Sequence, residues 1–341
     1  MKIVSIDCQL TKAERLQNVD HPNKMQIKTL ERSGYDQYWI EPNGVREMAA
    51  SAAKKAISKL NIHTKDIDFI IAGQSGVPDY IGIDLACQVG AELNCKSVRT
   101  MNLVEGCASG ISAWMHASSF AKSLPVNKVG LIVLSQRISD SHQDRFGLMN
   151  AILSDGAAVA VVAGDSWSLD GPSLRYLAAE DISDCRYVDM MRVEHGGGKQ
   201  PYVSETLDPR KDKLGRERIM DIYRFDADAL TEFLKLRSDN NIDIIRRVIS
   251  EVGRELNRPF LIQTLEGKQS IKSLCNELGI PTDRSNLDLL PKLGHIGCVD
   301  LLISLKILVE EDKIKPGDDI VMSTISTGLK WGAAVFEYDE S

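Results

Sequence analysis

Helix-like and strand-like segments alternate twice along this sequence, and the second series repeats the order of the first. REMAASAAKKAISKL (46–60) carries apolar residues at helical spacing, and IDFIIAG (67–73) is a short apolar run of buried-strand type. A helix over 82–94, a strand over 98–104, a helix over 108–123 and a strand over VGLIVLS (129–135) follow. AILSDGAAVAVVAG (151–164) then reads as a small-residue turn feeding another strand. In the second series, helices over 226–237 and 241–256 precede FLIQT (260–264), and a helix follows over 268–278. LGHIGCVDLLISLKILVEED (293–312) starts a long helix, and DIVMSTISTGLKWGAAVFEY (319–338) ends in paired strands. Alternation predicts a layered α/β fold. Its repetition predicts a duplicated unit, divided into residues 1–170 and 171–341. Between the halves, HGGGKQP (195–201) and the charge run DPRKDKLGRER (208–218) read as an irregular excursion, with the charge run a solvated loop.

The 341 residues are enough for one large domain or two closely packed halves. A composition of 43% hydrophobic and 26% charged residues is that of a globular protein and excludes a disordered or fibrous chain. The net charge of −7 argues against nucleic-acid binding, which needs clustered Lys and Arg. No apolar run reaches the roughly 18–20 residues of a spanning helix, and MKIVSIDCQL has too short an apolar stretch before Asp7 for a signal peptide. The expectation is a cytoplasmic protein with no membrane partner. Seven cysteines, an odd number without any C-x-x-C, support neither a disulfide framework nor a zinc site, and no metal site is expected. With no G-x-G-x-x-G or Walker pattern, no nucleotide cofactor is expected.

One cysteine stands apart. In VEGCASG, Cys107 precedes a run of small residues at a strand–helix junction. A thiol there meets the unpaired N–H groups and dipole of a helix N-terminus, which favour thiolate. The competing reading is a small apolar residue filling a core, the commoner fate of free cysteine.

EGCASG, LSDGAAVAVV (153–162), GGGKQP (196–201), LGHIGCVDLLISLKIL (293–308), IKPGDDIVM (314–322) and STGLKWGAAVFEY (326–338) occur together in register. In that order and spacing the chain resembles the β-ketoacyl-acyl-carrier-protein synthase III family of the thiolase superfamily, over nearly its whole length. The stretch ERSGYDQ (31–37) fits where the family has R-T-G-I. The resemblance implies two similar α/β halves in a five-layered αβαβα core, usually a homodimer with its interface beside the active sites. It implies acylation of Cys107 by an acyl-carrier-protein or coenzyme A thioester, with no permanently bound cofactor. It also implies substrate contacts at Arg32, Gly267, Gly197, Gly198 and Leu329, and an oxyanion hole from the backbone N–H groups of Cys107 and Gly328.

The sequence departs from the family in its other catalytic positions. Thr264 stands where the family has the histidine of H-Q-A-N, and His295, in GHIG, where it has the asparagine of G-N-T-S. Lys28 replaces the tryptophan that accompanies Arg32, so carrier or coenzyme A recognition is altered, and Ser326 and Thr327 replace a glycine-richer loop. Decarboxylative condensation needs two aimed donors on a thioester oxygen, and Thr264 is a weak, short one. Acyl transfer to an alcohol, amine or thiol needs one well-placed base, which His295 supplies as a neutral imidazole. Glu105, two residues before Cys107, is expected to orient His295, to bind a cationic acceptor, or to serve only local backbone N–H groups, and Glu266 is a weaker candidate of the same kind. His195 and its glycines are expected to be structural, since the G-x-S-x-G elbow that accompanies H-G-G-G in α/β-hydrolases is absent. The leading expectation is an acyltransferase of specialised or fatty-acid-related biosynthesis acting on a small-molecule acceptor. Condensation of ketosynthase III type and a non-catalytic partner subunit are the alternatives.

Overall fold

The structure is a computed structural model that describes residues 1–60, 62–148, 150–167, 173–201, 208–213 and 215–339. Among the described residues eleven strands are formed: β1 (Lys2–Gln9), β2 (Lys12–Arg15), β3 (Gln37–Ile40), β4 (Ile67–Gly76), β5 (Arg99–Leu103), β6 (Val129–Arg137), β7 (Gly156–Ala163), β8 (Ser173–Ser183), β9 (Phe260–Gln263), β10 (Asp319–Ser326) and β11 (Lys330–Asp339). β2 and β3 make a separate two-stranded ribbon. The other nine form one mixed sheet in the order β5-β4-β6-β7-β1-β8-β11-β10-β9.

The duplication lies in that order. From the centre outward one side runs β1, β7, β6, β4, β5, with two antiparallel pairings followed by two parallel ones. The other side runs β8, β11, β10, β9 with antiparallel, antiparallel and parallel pairings, and a parallel bridge from Leu261 to Ser285 stands where a fifth strand would. The two series meet through a short antiparallel contact of Lys2 with Arg175 and Ile3 with Leu174. The expected division between residues 170 and 171 falls outside the described residues.

Five layers follow from which helices touch which strands. Val45–Ser58 and Leu85–Glu92 cover the first series, and Ala227–Glu251 covers the second, with Lys268–Leu278 packed on that long helix. Ser109–Ala121 and Asp300–Glu310 touch strands of both series and form the middle layer. β7 (GAAVAVVA) and β10 (DIVMSTIS) are buried at every residue; β7 is a continuous apolar run, as a strand between two helical layers should be, while β10 buries Asp319, Ser323, Thr324 and Ser326 among its apolar residues. Trp114 of the middle layer packs edge-to-face on Phe336 of β11 at 5.3 Å. Truncating so large a buried ring costs about 3–5 kcal/mol.

Three local expectations are corrected. The helices expected over 226–237 and 241–256 are one continuous helix, Ala227–Glu251, because the polar stretch SDNN between them contains neither Gly nor Pro and costs a helix little. The charge run over 208–218 is not a free loop: a 3-10 turn spans Pro209–Lys211 and a helix begins at Gly215. Within it Arg218 is buried against Glu194 at 2.8 Å. Strands β1 and β8, the innermost pair of the sheet, are additional to the expected elements.

Candidate functional site

The middle-layer helices start in the same way, and this brings the site together. Gly106–Ala108 is a 3-10 turn leading into Ser109–Ala121, and Gly297–Val299 is a 3-10 turn leading into Asp300–Glu310. Gly106 and Gly297 have φ of +55° and +56°, a region L side chains rarely adopt. The duplication therefore sets Cys107 against Cys298. Cys298 is buried, with its Sγ on the carbonyls of Ser135 (3.3 Å) and Gly73 (3.6 Å), and burial pushes its thiol up to about 12. Cys107 is partly exposed at the start of its helix. The same turn thus gives one inert thiol and one accessible thiol.

Beside the accessible one stands His295, its Nε2 3.4 Å from Cys107 Sγ. The imidazole is held at three points. Its backbone N–H donates to Ile152 O (2.7 Å), and its carbonyl accepts from Ser154 N (2.8 Å) and Gln136 Nε2 (2.9 Å). Its Nδ1 donates to Asp300 Oδ2 at 2.6 Å. Asp300 is fully buried and also accepts from Ile296 N (2.6 Å) and Leu265 N (2.9 Å), so its carboxylate is saturated with donors. As the first residue of its helix it also faces the positive end of the helix dipole.

Burial alone would pull the His295 pKa down, but the carboxylate of Asp300 and then the neighbouring Cys107 outweigh it and hold the imidazole well above its ordinary value. The direction of that shift favours the protonated ring beside the sulfur. The expected neutral imidazole took no account of Asp300, whose carboxylate works against that form.

The C-terminal portion of the chain, residues 260–338, matches the family described as 3-oxoacyl-[acyl-carrier-protein (ACP)] synthase III C terminal. Over 316 residues the chain is 26% identical to a β-ketoacyl-[acyl-carrier-protein] synthase III of Porphyra purpurea, covering 90% of this chain and 89% of that protein. Over most of its length the chain is thus similar to synthase III proteins. Its fold is shared with the 3-oxoacyl-[acyl-carrier-protein] synthase III of Aquifex aeolicus VF5, with TM-score 0.77 at 23% identity over 99% of both chains. It is shared also with the acyltransferase ChlB3, with TM-score 0.81 at 19% identity, covering 99% of this chain and 97% of that one.

Against the synthase III pattern, the remaining site residues fall into two groups. Thr264 is fully buried; its hydroxyl donates to Thr324 Oγ1 at 2.8 Å and its N–H to Ser323 O at 3.1 Å, so its side chain is bonded to β10, and Thr324 Oγ1 in turn lies 3.4 Å from the Cys107 carbonyl. Glu105 does not orient His295, and its carboxylate is not free for a cationic acceptor. It accepts from Lys330 Nζ (2.6 Å) and from Ser112, while Asp300 takes the orienting place. Gly328, φ +92°, lies in the turn between β10 and β11 with open space around it. Leu329 beside it is buried and its carbonyl accepts from Asp184 N.

Gly267 caps the helix Lys268–Leu278, and its N–H donates to the Tyr35 hydroxyl, which in turn donates to Leu265 O at 2.6 Å. The ERSGYDQ stretch thereby reaches the site through Tyr35, while Arg32, at the end of the helix Lys24–Arg32, is exposed on the flank. Glu266 pairs with Arg237. Burial would raise its pKa, but Arg237 first and His295 second hold it below the usual carboxylate range. Gly197 and Gly198 form an exposed tip with open space around them, and Gly196 packs on His142. No contact links that tip to Cys107 or His295 among the described residues. Among these residues there is also no group of three or more His, Cys, Asp or Glu able to hold a metal, and no helix long and apolar enough to cross a membrane.

Asp300 is the site residue that sequence reading missed. Its signal was present: a single carboxylate in HIGCVDLLISL, where an apolar helix would bury it, must find partners.

Proposed function

We propose that this chain is an acyltransferase that loads an acyl group from an acyl-carrier-protein or coenzyme A thioester onto Cys107 and passes it to a hydroxyl, amine or thiol acceptor. The observation that carries the reading is the position of His295, between Cys107 Sγ at 3.4 Å and Asp300 Oδ2 at 2.6 Å. Cys107 thiolate attacks the thioester carbonyl carbon. The C–S bond to the donor breaks, and the donor sulfur leaves with the proton held on His295 Nε2. That transfer leaves His295 neutral and Cys107 an uncharged thioester, so one of the two groups raising the imidazole pKa is gone. Neutral His295 then takes the proton of the incoming acceptor as its heteroatom attacks the acyl carbon, and Cys107 departs as thiolate beside the re-formed imidazolium. The N–H groups of Cys107 and Gly328 receive the oxyanion in both steps.

Transfer is favoured over decarboxylative condensation because Thr264, a short side chain in place of the family histidine, has its hydroxyl bonded to Thr324. The exposed Arg32 fits a donor carrying phosphate groups. The test supplies an acyl coenzyme A with malonyl coenzyme A and measures both donor-thiol release and carbon dioxide. The reading predicts thiol release from the acyl donor without carbon dioxide. Stoichiometric carbon dioxide would replace transfer with condensation.

A further inference from the structure

The two turns that supply the oxyanion-hole N–H groups are fastened together by charge. Glu105 ends the extended segment before Cys107, and Lys330 opens β11 just after Gly328. Lys330 Nζ donates to Glu105 Oε2 at 2.6 Å and to Asp181 Oδ2 of β8 at 2.9 Å. The Ser112 hydroxyl, from the first turns of the Cys107 helix, lies against both carboxylates, 3.0 Å from Asp181. Around this knot the backbones interlock. Ser326 Oγ donates to Glu105 O (2.6 Å), Thr324 Oγ1 to Cys107 O (3.4 Å), and Glu105 N to Ser109 Oγ (3.1 Å). A Cβ on Gly106 would lie 2.6 Å from the side-chain oxygens of both Ser326 and Thr327, which measures how closely the second turn sits on the first.

We propose that the Glu105–Lys330 pair is a positioning clasp that holds the Gly328 N–H in register with the Cys107 N–H. The turn is seated by buried Leu329 and by the Ser326 hydroxyl on Glu105 O, and among the described residues Lys330 ties it by charge to the Cys107 turn; an oxyanion hole works only while its donors stay fixed. Lys330 is mostly buried and shared between two carboxylates. Burial works against its charge, and the two carboxylates overcome this and hold it protonated. The knot carries one more negative than positive charge, so removing Glu105 leaves a balanced Lys330–Asp181 pair. Glu105→Gln is therefore the variant that loosens the clasp without stranding a charge.

The inference rests on the acyl-transfer reading for its kinetic arm only. With wild-type protein, Glu105→Gln and the exchanged pair Glu105→Lys/Lys330→Glu, backbone hydrogen exchange over 324–330 and the rate of donor-thiol release are measured. The clasp predicts at least tenfold faster exchange in that turn for Glu105→Gln, with the Asp300–Glu310 helix unchanged. It also predicts a fall in kcat of tenfold or more with KM within twofold, and partial recovery of both in the exchanged pair. Unchanged exchange and kcat in Glu105→Gln overturn the clasp, as does a KM effect alone. Should wild-type protein release no thiol, the acyl-transfer reading fails and the exchange result by itself decides the clasp.

Discussion

Asp300 Oδ2 accepts a hydrogen bond from His295 Nδ1 at 2.6 Å, so a buried carboxylate and the imidazole five residues before it act as one unit. Two backbone N–H groups hold that carboxylate from the other side. Asp300→Asn keeps the volume but removes the charge and turns an amide N–H₂ toward at least one backbone donor. Activity in donor-thiol release should fall by about 10²–10⁴-fold, by analogy with the loss of an orienting carboxylate elsewhere. Thermal unfolding should show about 1–3 kcal/mol of destabilisation from the mismatched donors.

The raised pKa of His295 sets the sign of a pH effect. Its folded value lies above the unfolded value of about 6.5, so the group binds its proton more tightly in the folded state. The stability this contributes is complete below about pH 6.5 and is lost as pH rises through the folded value. Cys107→Ala removes one of the groups that raise it, so the ring should titrate lower and the pH-dependent part of stability should shrink. NMR titration of the imidazole and denaturant unfolding across pH 6–10 check both.

Thr264→Val should leave acyl transfer within about twofold, because the hydroxyl it removes is already bonded to Thr324. The cost falls on stability, about 1 kcal/mol for one buried hydrogen bond. A large kinetic loss with normal stability would return Thr264 to the chemistry.

Gly106→Ala tests the turn itself. The positive φ costs an L residue about 1–2 kcal/mol, and the added Cβ would push against Ser326 and Thr327. Both the melting temperature and the rate of donor-thiol release should drop, whereas the same change at Gly197, in open space on an exposed tip, should alter neither.

Much of this arrangement was legible in the sequence. Cys107 at a helix start and the repeated order of elements depend on local patterns that periodicity reveals, and His295 was singled out by the family resemblance. What escaped depended on pairing across distance. β1 and β8 carry mixed burial, so neither a clean alternation nor an apolar run marks them. Glu105 lies close to Cys107 in sequence, but its partners Lys330 and Asp181 come from β11 and β8, and only the folded sheet brings them together. Asp300 looked like one acid in an apolar helix until burial showed that it needed His295. The kinship of the Gly106 and Gly297 turns was also hidden, since the helices that follow them, SGISAWM and DLLISLK, share no residue in register and only the Gly-Cys of the turns is common.

The central claim is that Cys107 carries the acyl group. Intact-mass spectrometry after incubation with a panel of acyl coenzyme A thioesters tests it most directly. The account predicts a gain of one acyl group on wild-type protein, none on Cys107→Ala, and an adduct that persists longer on His295→Ala. An adduct of equal extent on Cys107→Ala, or none on wild type with any donor, would contradict it.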